Sequence, residues 1–235
     1  MASTLSRFDA RETLTYPELQ ALMEREAARA SADLAAGRAV TDPHDAFLAL
    51  NLQRMKRIDK TYRVPPELHQ AIAALRRPQA WRVLTEPWCG DSAQSVGVLA
   101  AIAASASATA TIDLRFVLRD QNPELMDRYL TDGNRAIPLL VAFDEHGSEL
   151  FRWGPRPRPA VELFRLGKAE GLPREELLTR LHRWYALDRG RSVTAEIEEL
   201  LSLATVPLPA ISSCAPLPSD IPRERRQPAA LGGRE

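Results

Sequence analysis

One stretch constrains the fold more than any other: Trp81 to Ser92, WRVLTEPWCGDS. A short run of strand formers, Trp81 to Thr85, ends in a Pro-Trp-Cys-Gly turn. Ala93 to about Ala104 follows as a helix with small residues on most faces, able to pack closely on a sheet. A strand feeding directly into such a helix points to an α/β chain. It also places Cys89 at the N-terminus of a helix, where backbone N–H groups and the helix dipole favour negative charge and so the thiolate.

The remaining segments alternate in the same way. Ile112 to Leu118 alternates apolar and polar residues and reads as a second strand, and Pro123 to Tyr129 as a helix with proline in its first turn. Leu139 to Phe143 is a continuous apolar run fit for a buried strand. Asp144-Glu145-His146-Gly147 is a turn, and Glu149 to Trp153 returns as the second arm of a hairpin. Pro155 to Pro159, PRPRP, predicts an extended segment. Helices are expected over Ala160 to Leu166, Pro173 to Leu187 and Val193 to Leu203.

Ahead of this core, residues 1 to 15 read as a loose arm. Tyr16 to Leu34, Asp45 to Tyr62 and Glu67 to Leu75 read as helices. The basic run Arg54, Lys56, Arg57, Lys60 and Arg63 is expected on a solvated face, with an anion site as the alternative. After Ala204 the chain is rich in proline and without periodicity, which predicts a disordered tail. The division expected is therefore a helical N-terminal extension (1–78), an α/β domain (79–190), a C-terminal helix (191–204) and a Pro-rich tail (205–235).

Composition narrows the function classes. Arginine and lysine number 31 against 31 acidic residues, so no global charge points to nucleic acid or an anionic membrane. The two cysteines, Cys89 and Cys214, are too few for a secreted disulfide framework. The N-terminal MASTLSRFDARETL lacks a signal-type apolar core, and no stretch is long and apolar enough to span a membrane. A cytoplasmic location is the expectation. The scattered His44, His69, His146 and His182 show no metal-ligand spacing, and no cofactor is expected.

The order strand, helix, strand, helix, hairpin, helix, with Trp88-Cys89-Gly90 after the first strand, resembles the thioredoxin superfamily. The stretch IPLLVAFDEHG, Ile137 to Gly147, is similar to that family's cis-proline loop, apolar strand and turn, and Trp153-Gly154 falls where its last strand ends. The WCGDS motif and helical extension look like a bacterial subgroup. The resemblance covers about residues 80 to 190. It implies a thioredoxin fold: α/β, a central mixed sheet of about four strands flanked by helices, with a helical N-terminal extension. It further implies Cys89 as the attacking thiol and Ala136, Ile137 and Pro138 as a docking edge, with Trp88 covering one side of the sulfur.

Three departures from the family pattern shape the functional expectation. Ser92 stands where the usual Cys-x-x-Cys motif has its second cysteine, so a mixed disulfide cannot be resolved within the motif. Asp91 replaces a proline, and its charge opposes thiolate formation. Val83 stands where thioredoxin carries a buried acid. The expectation is a monothiol thiol–disulfide oxidoreductase with Cys89 and Ser92 as catalytic residues. Trp88, Gly90, Asp91, Ala136, Ile137 and Pro138 would be its substrate contacts, and a protein or low-molecular-weight thiol its partner. Cys214 is a candidate resolving thiol. The alternatives are a non-catalytic binding module on the same fold and, less supported by the surrounding residues, the iron–sulfur or glutathione handling of monothiol glutaredoxins.

Overall fold

The computed structural model describes residues 8, 10, 12–38, 42–106 and 111–205. Cys214 and the Pro-rich tail from residue 206 on lie outside the described residues. Three helices come first: α1 (Tyr16–Ala35), α2 (Asp45–Thr61) and α3 (Pro66–Ala73). The core follows as β1 (Gln79–Thr85), α4 (Gly90–Ala104), β2 (Ile112–Leu118), α5 (Pro123–Met126), β3 (Leu139–Phe143) and β4 (Glu149–Trp153). Helices α6 (Arg158–Ala169), α7 (Arg174–Asp188) and α8 (Arg191–Thr205) complete the chain. Among the described residues, no helix is long and apolar enough to cross a membrane.

The strands form one mixed sheet in the order β2-β1-β3-β4, with β1 and β2 parallel and the other pairs antiparallel. This is the four-strand α/β arrangement that the sequence pattern predicts. Side chains alternate across it with the period of two that a pleated strand imposes. Trp81, Val83, Leu140, Ala142, Phe151 and Trp153 face one core, shared with α1 to α4 and α8. Leu84, Leu139, Val141 and Phe143 face the other, closed by Leu125, Met126 and Tyr129. Helix α4 is enclosed on nearly every side, which its small residues permit. Helix α2 packs along it, and α1 packs on α2.

Register positions the functional end of the sheet. Leu84 pairs with Leu139 and Leu140 with Trp153. The chain leaving β1 toward Cys89 therefore meets the chain entering β3 from Ile137, and Pro138 lies beside Gly154. The Ile137–Pro138 and Gly154–Pro155 peptide bonds are both cis.

Two expectations need correction. The first fifteen residues are not all a loose arm. Leu14 exchanges both backbone hydrogen bonds with Phe116 at 2.8 Å, which covers the free edge of β2, and Phe8 is buried against Tyr129 and Phe143. β2 is an outer strand of the sheet and leaves an open edge, and the pairing satisfies part of it. The PRPRP segment is extended only to Pro157, because α6 starts at Arg158 and takes Pro159 into its first turn, where a missing N–H costs nothing.

Gly154 adopts φ +125°, and a Cβ there would lie 2.1 Å from the Pro138 carbonyl oxygen. That atom is backbone and cannot step aside. Gly154→Ala is expected to destabilise the fold by about 2–4 kcal/mol. Gly37→Ala, at φ +64° in open space, should cost only about 1 kcal/mol. Urea unfolding of the two variants checks the difference.

Candidate functional site

Helix α4 begins at Gly90, three residues earlier than its apolar pattern suggests, so Cys89 is its N-cap. Its Sγ accepts the Ser92 N–H at 3.5 Å. The same thiol donates to the Ile137 carbonyl at 3.4 Å. Cys89 and Ile137 thus meet across the sheet end, as the register requires.

The sulfur is largely buried, and its electrostatics run against the sequence expectation. Burial first, and then the neighbouring Asp91 charge, push the Cys89 thiol up from 9.0 to about 11. The backbone N–H groups of Asp91 and Ser92 and the Ser92 hydroxyl pull the other way but do not prevail. The Ser92 hydroxyl lies near enough to be felt, yet it makes no hydrogen bond of good geometry. The thiol's donation to Ile137 also favours the protonated form. Cys89 stands at a helix N-terminus, as the sequence predicts, but the thiolate is not favoured there.

Asp91 is nearly enclosed. One carboxylate oxygen accepts from the Tyr185 hydroxyl at 2.8 Å and the other from Arg156 Nε at 2.9 Å. Both oxygens are therefore engaged by the protein itself. Arg156 also lies over the Phe164 ring at 4.2 Å. Ser92 points away from the cysteine's open side, into a pocket of about 10 Å³ with Glu86, Met23 and Met55.

On the open side lies a cleft of about 350 Å³. Trp88, Cys89, Gly90, Asp91, Ala136 and Ile137 all line it, whereas Ser92 and Pro138 do not. Trp88 is sandwiched between His44, with ring centroids 4.3 Å apart, and the Arg119 guanidinium at 4.6 Å. Pro138 is buried behind the cleft, its carbonyl against Gly154.

A thioredoxin family model matches residues 40–170. The chain belongs to the thioredoxin family. No curated protein matches it. Two solved structures are similar over 86% of this chain. One is a protein of unknown function from Pseudomonas aeruginosa, 19% identical, with 97% of that chain covered and a TM-score of 0.51. The other is an HIV epitope-scaffold, 15% identical, with 98% covered and a TM-score of 0.51. At these identities they speak to the fold alone.

In this thioredoxin-family chain the cleft holds residues that motif reading missed. Arg54 lines it and Arg57 follows one turn later on α2; the sequence predicts a solvated face for both, yet both are half-buried over the start of α4. Arg54 Nη1 donates to Asn51 Oδ1 at 2.8 Å, and Arg57 Nη2 to Gln94 Oε1 at 2.6 Å. Asn51 is fully buried within the apolar stripe of α2, and that break in the stripe is the one signal that could have exposed this face. His182 comes from α7. Burial, and then Arg54, lower its pKa from 6.5 to about 4.

Glu86, at the end of β1, is a second buried acid, although Val83 occupies the position where thioredoxin has one. Burial raises its pKa from 4.5 to about 7, opposed by the Asp120 N–H that it accepts at 2.7 Å. The folded chain thus holds this proton more tightly than the unfolded chain. Stability from this group is full below about pH 4.5 and is lost as pH rises through about 7. Glu86→Gln should flatten Tm against pH across that window and raise Tm above pH 7. For Cys89, alkylation of the folded chain should rise about tenfold per pH unit up to a pH near 11. Asp91→Asn should speed alkylation at pH 7 while costing about 2–4 kcal/mol, because Arg156 loses its counter-ion. Iodoacetamide kinetics and urea unfolding on the same variant separate the two effects.

Proposed function

We propose that this chain is a monothiol thiol–disulfide exchange protein acting through Cys89. The observation that carries the reading is the seating of the Cys89 thiol at the N-cap of α4, bonded to the Ile137 carbonyl at the edge of an open cleft. In the first step the deprotonated Sγ attacks one sulfur of a disulfide. That S–S bond breaks as the new one forms, and the departing thiolate takes up the proton. A second, external thiol then attacks the mixed disulfide and releases Cys89. Electrons pass from thiol to disulfide, and no other co-reactant is needed. A reducing compartment such as the cytoplasm supplies the external thiol, and the partner is a protein or a low-molecular-weight thiol.

The raised pKa of Cys89 makes both steps slow at neutral pH. A small fraction is thiolate, and a basic thiolate is also a poor leaving group. The mixed disulfide is therefore expected to be long-lived, which suits capture or transfer of a thiol better than rapid reduction. Ser92 leaves it without a resolving thiol within the motif.

The same burial favours a second reading, a non-catalytic binding module in which Cys89 serves only as a helix cap. The two separate cleanly. The folded chain is incubated with 2-hydroxyethyl disulfide at pH 7 and pH 9, and peptide mass mapping distinguishes Cys89 from Cys214. A Cys89 adduct that forms roughly a hundredfold faster at pH 9 supports exchange. No Cys89 adduct at pH 9, with ready reaction in the unfolded chain, supports the binding module.

A further inference from the structure

The cleft beside Cys89 is lined by five arginines, Arg54, Arg119, Arg135, Arg156 and Arg174, against one carboxylate, Asp91. Three of the five are paired: Arg119 with Asp120, Arg135 with Asp127 and Arg156 with Asp91. Arg54 is different. It is half-buried, donates to the Asn51 amide, and forms no ion pair with a carboxylate among the described residues. Burial and the like charge of Arg57 both disfavour its charged form, and Asp91 compensates only in part. A partly desolvated guanidinium without a counter-ion is costly and is normally paired.

Beside it, His182 is held in a defined state. Arg57 donates to Gln94 Oε1, which turns Gln94 Nε2 toward His182 Nδ1 at 3.4 Å. Nδ1 then accepts, and the proton of the neutral ring sits on Nε2. That edge faces the bare backbone of Gly90. A Cβ at Gly90 would lie 2.9 Å from His182 Nε2 and 3.1 Å from Arg54 Nη1. Two donors, one of them cationic and unpaired, thus converge next to the residue that follows Cys89.

We propose that Arg54 and the His182 Nε2–H seat a carboxylate, and that the cleft selects small, carboxylate-bearing disulfides and thiols for exchange at Cys89. The proposal rests on the exchange reading above. It favours a small substrate because the volume, about 350 Å³, lies in the range of small-molecule sites. The Trp88 sandwich with His44 and Arg119 also stands at the same rim.

A charge series of symmetric disulfides tests it: 3,3′-dithiodipropionate (dianion), 2-hydroxyethyl disulfide (neutral) and cystamine (dication). Each rate at Cys89 is divided by the rate of the same reagent with the unfolded chain, which removes intrinsic reactivity. The dianion should exceed the neutral reagent by about tenfold, the worth of one charge-assisted hydrogen bond. Added salt should shrink that ratio. Arg54→Gln should bring it to about one, and Arg54→Lys should retain part of it. Within each variant the neutral reagent controls for folding. Equal rates for the three reagents, or a preference kept in Arg54→Gln, overturn the proposal. So does an acidic peptide disulfide that reacts with the anion preference while dithiodipropionate shows none. If no reagent reacts, the exchange reading fails, and the carboxylate seat is judged separately by titrating glutarate into Cys89→Ser protein by NMR. Saturable binding that Arg54→Gln abolishes supports the seat, and no binding overturns it.

Discussion

The buried carboxylate of Asp91 is the contact on which the geometry of the cysteine end depends. It sits in the first turn of α4, where the helix N-terminus favours negative charge. It accepts from Arg156, in the segment after β4, and from Tyr185 on α7. One side chain thus ties together the start of the central helix, the exit from the edge strand and a C-terminal helix. A buried carboxylate is tolerable only when its oxygens are engaged, and both are. The clamp comes with a chemical consequence. The charge that locks the elements together lies beside the sulfur and holds its proton on.

Magnitudes show why the helix start does not rule here. A helix N-terminus contributes up to about 2 kcal/mol to a neighbouring anion, which is roughly 1.5 pKa units. Burial and a like charge each shift a pKa by several units. At Cys89 both act upward, and the thiol rises. The same burial keeps Glu86 largely protonated until about pH 7 and His182 neutral down to about pH 4. Near neutral pH Cys89 and His182 therefore sit in their neutral forms, and Glu86 is about half protonated. The charge that remains in the cleft is arginine, with Asp91 already matched to Arg156.

Much of the core was legible from periodicity. The limits of β2, β3 and β4 coincide with one alternating run, one continuous apolar run and a turn-bounded return. In each case a pleated strand half or wholly buried leaves a pattern of period two or an unbroken apolar stretch. The nearness of Cys89 to Ile137 was also within reach, because it follows from the pairing of strands that were themselves visible. Helix limits were less so. Helix α4 starts earlier than its apolar pattern, because its cap is a cysteine and its first turn carries a buried acid, and Pro159 enters α6 rather than closing the segment before it. The cleft walls were not legible. Arg54, Arg156 and His182 come from α2, the β4–α6 segment and α7, and nothing local to any of them points to the others. The basic run in α2 looks like any solvated face, and only the buried Asn51 breaks its apolar stripe.

The division of labour within the cleft follows from where its parts originate. The sulfur, its cap and the Ile137 carbonyl belong to the sheet and its central helix, which any chain of this family must build. His44, Asn51, Arg54 and Arg57 belong to α2 and its approach, and α2 is packed along α4 rather than appended to it. The family match begins at residue 40 and so takes in that helix. Helix α7 closes the opposite wall with Arg174, Leu178 and His182. Moving α2 by one helical turn, about 5.4 Å, would leave Cys89 and Ile137 in place. It would also remove Arg54 from Gly90 and Arg57 from Gln94, and with the latter the contact that fixes the His182 ring. The reacting atom is set by the sheet, whereas the charge that surrounds it is set by the docking of one helix.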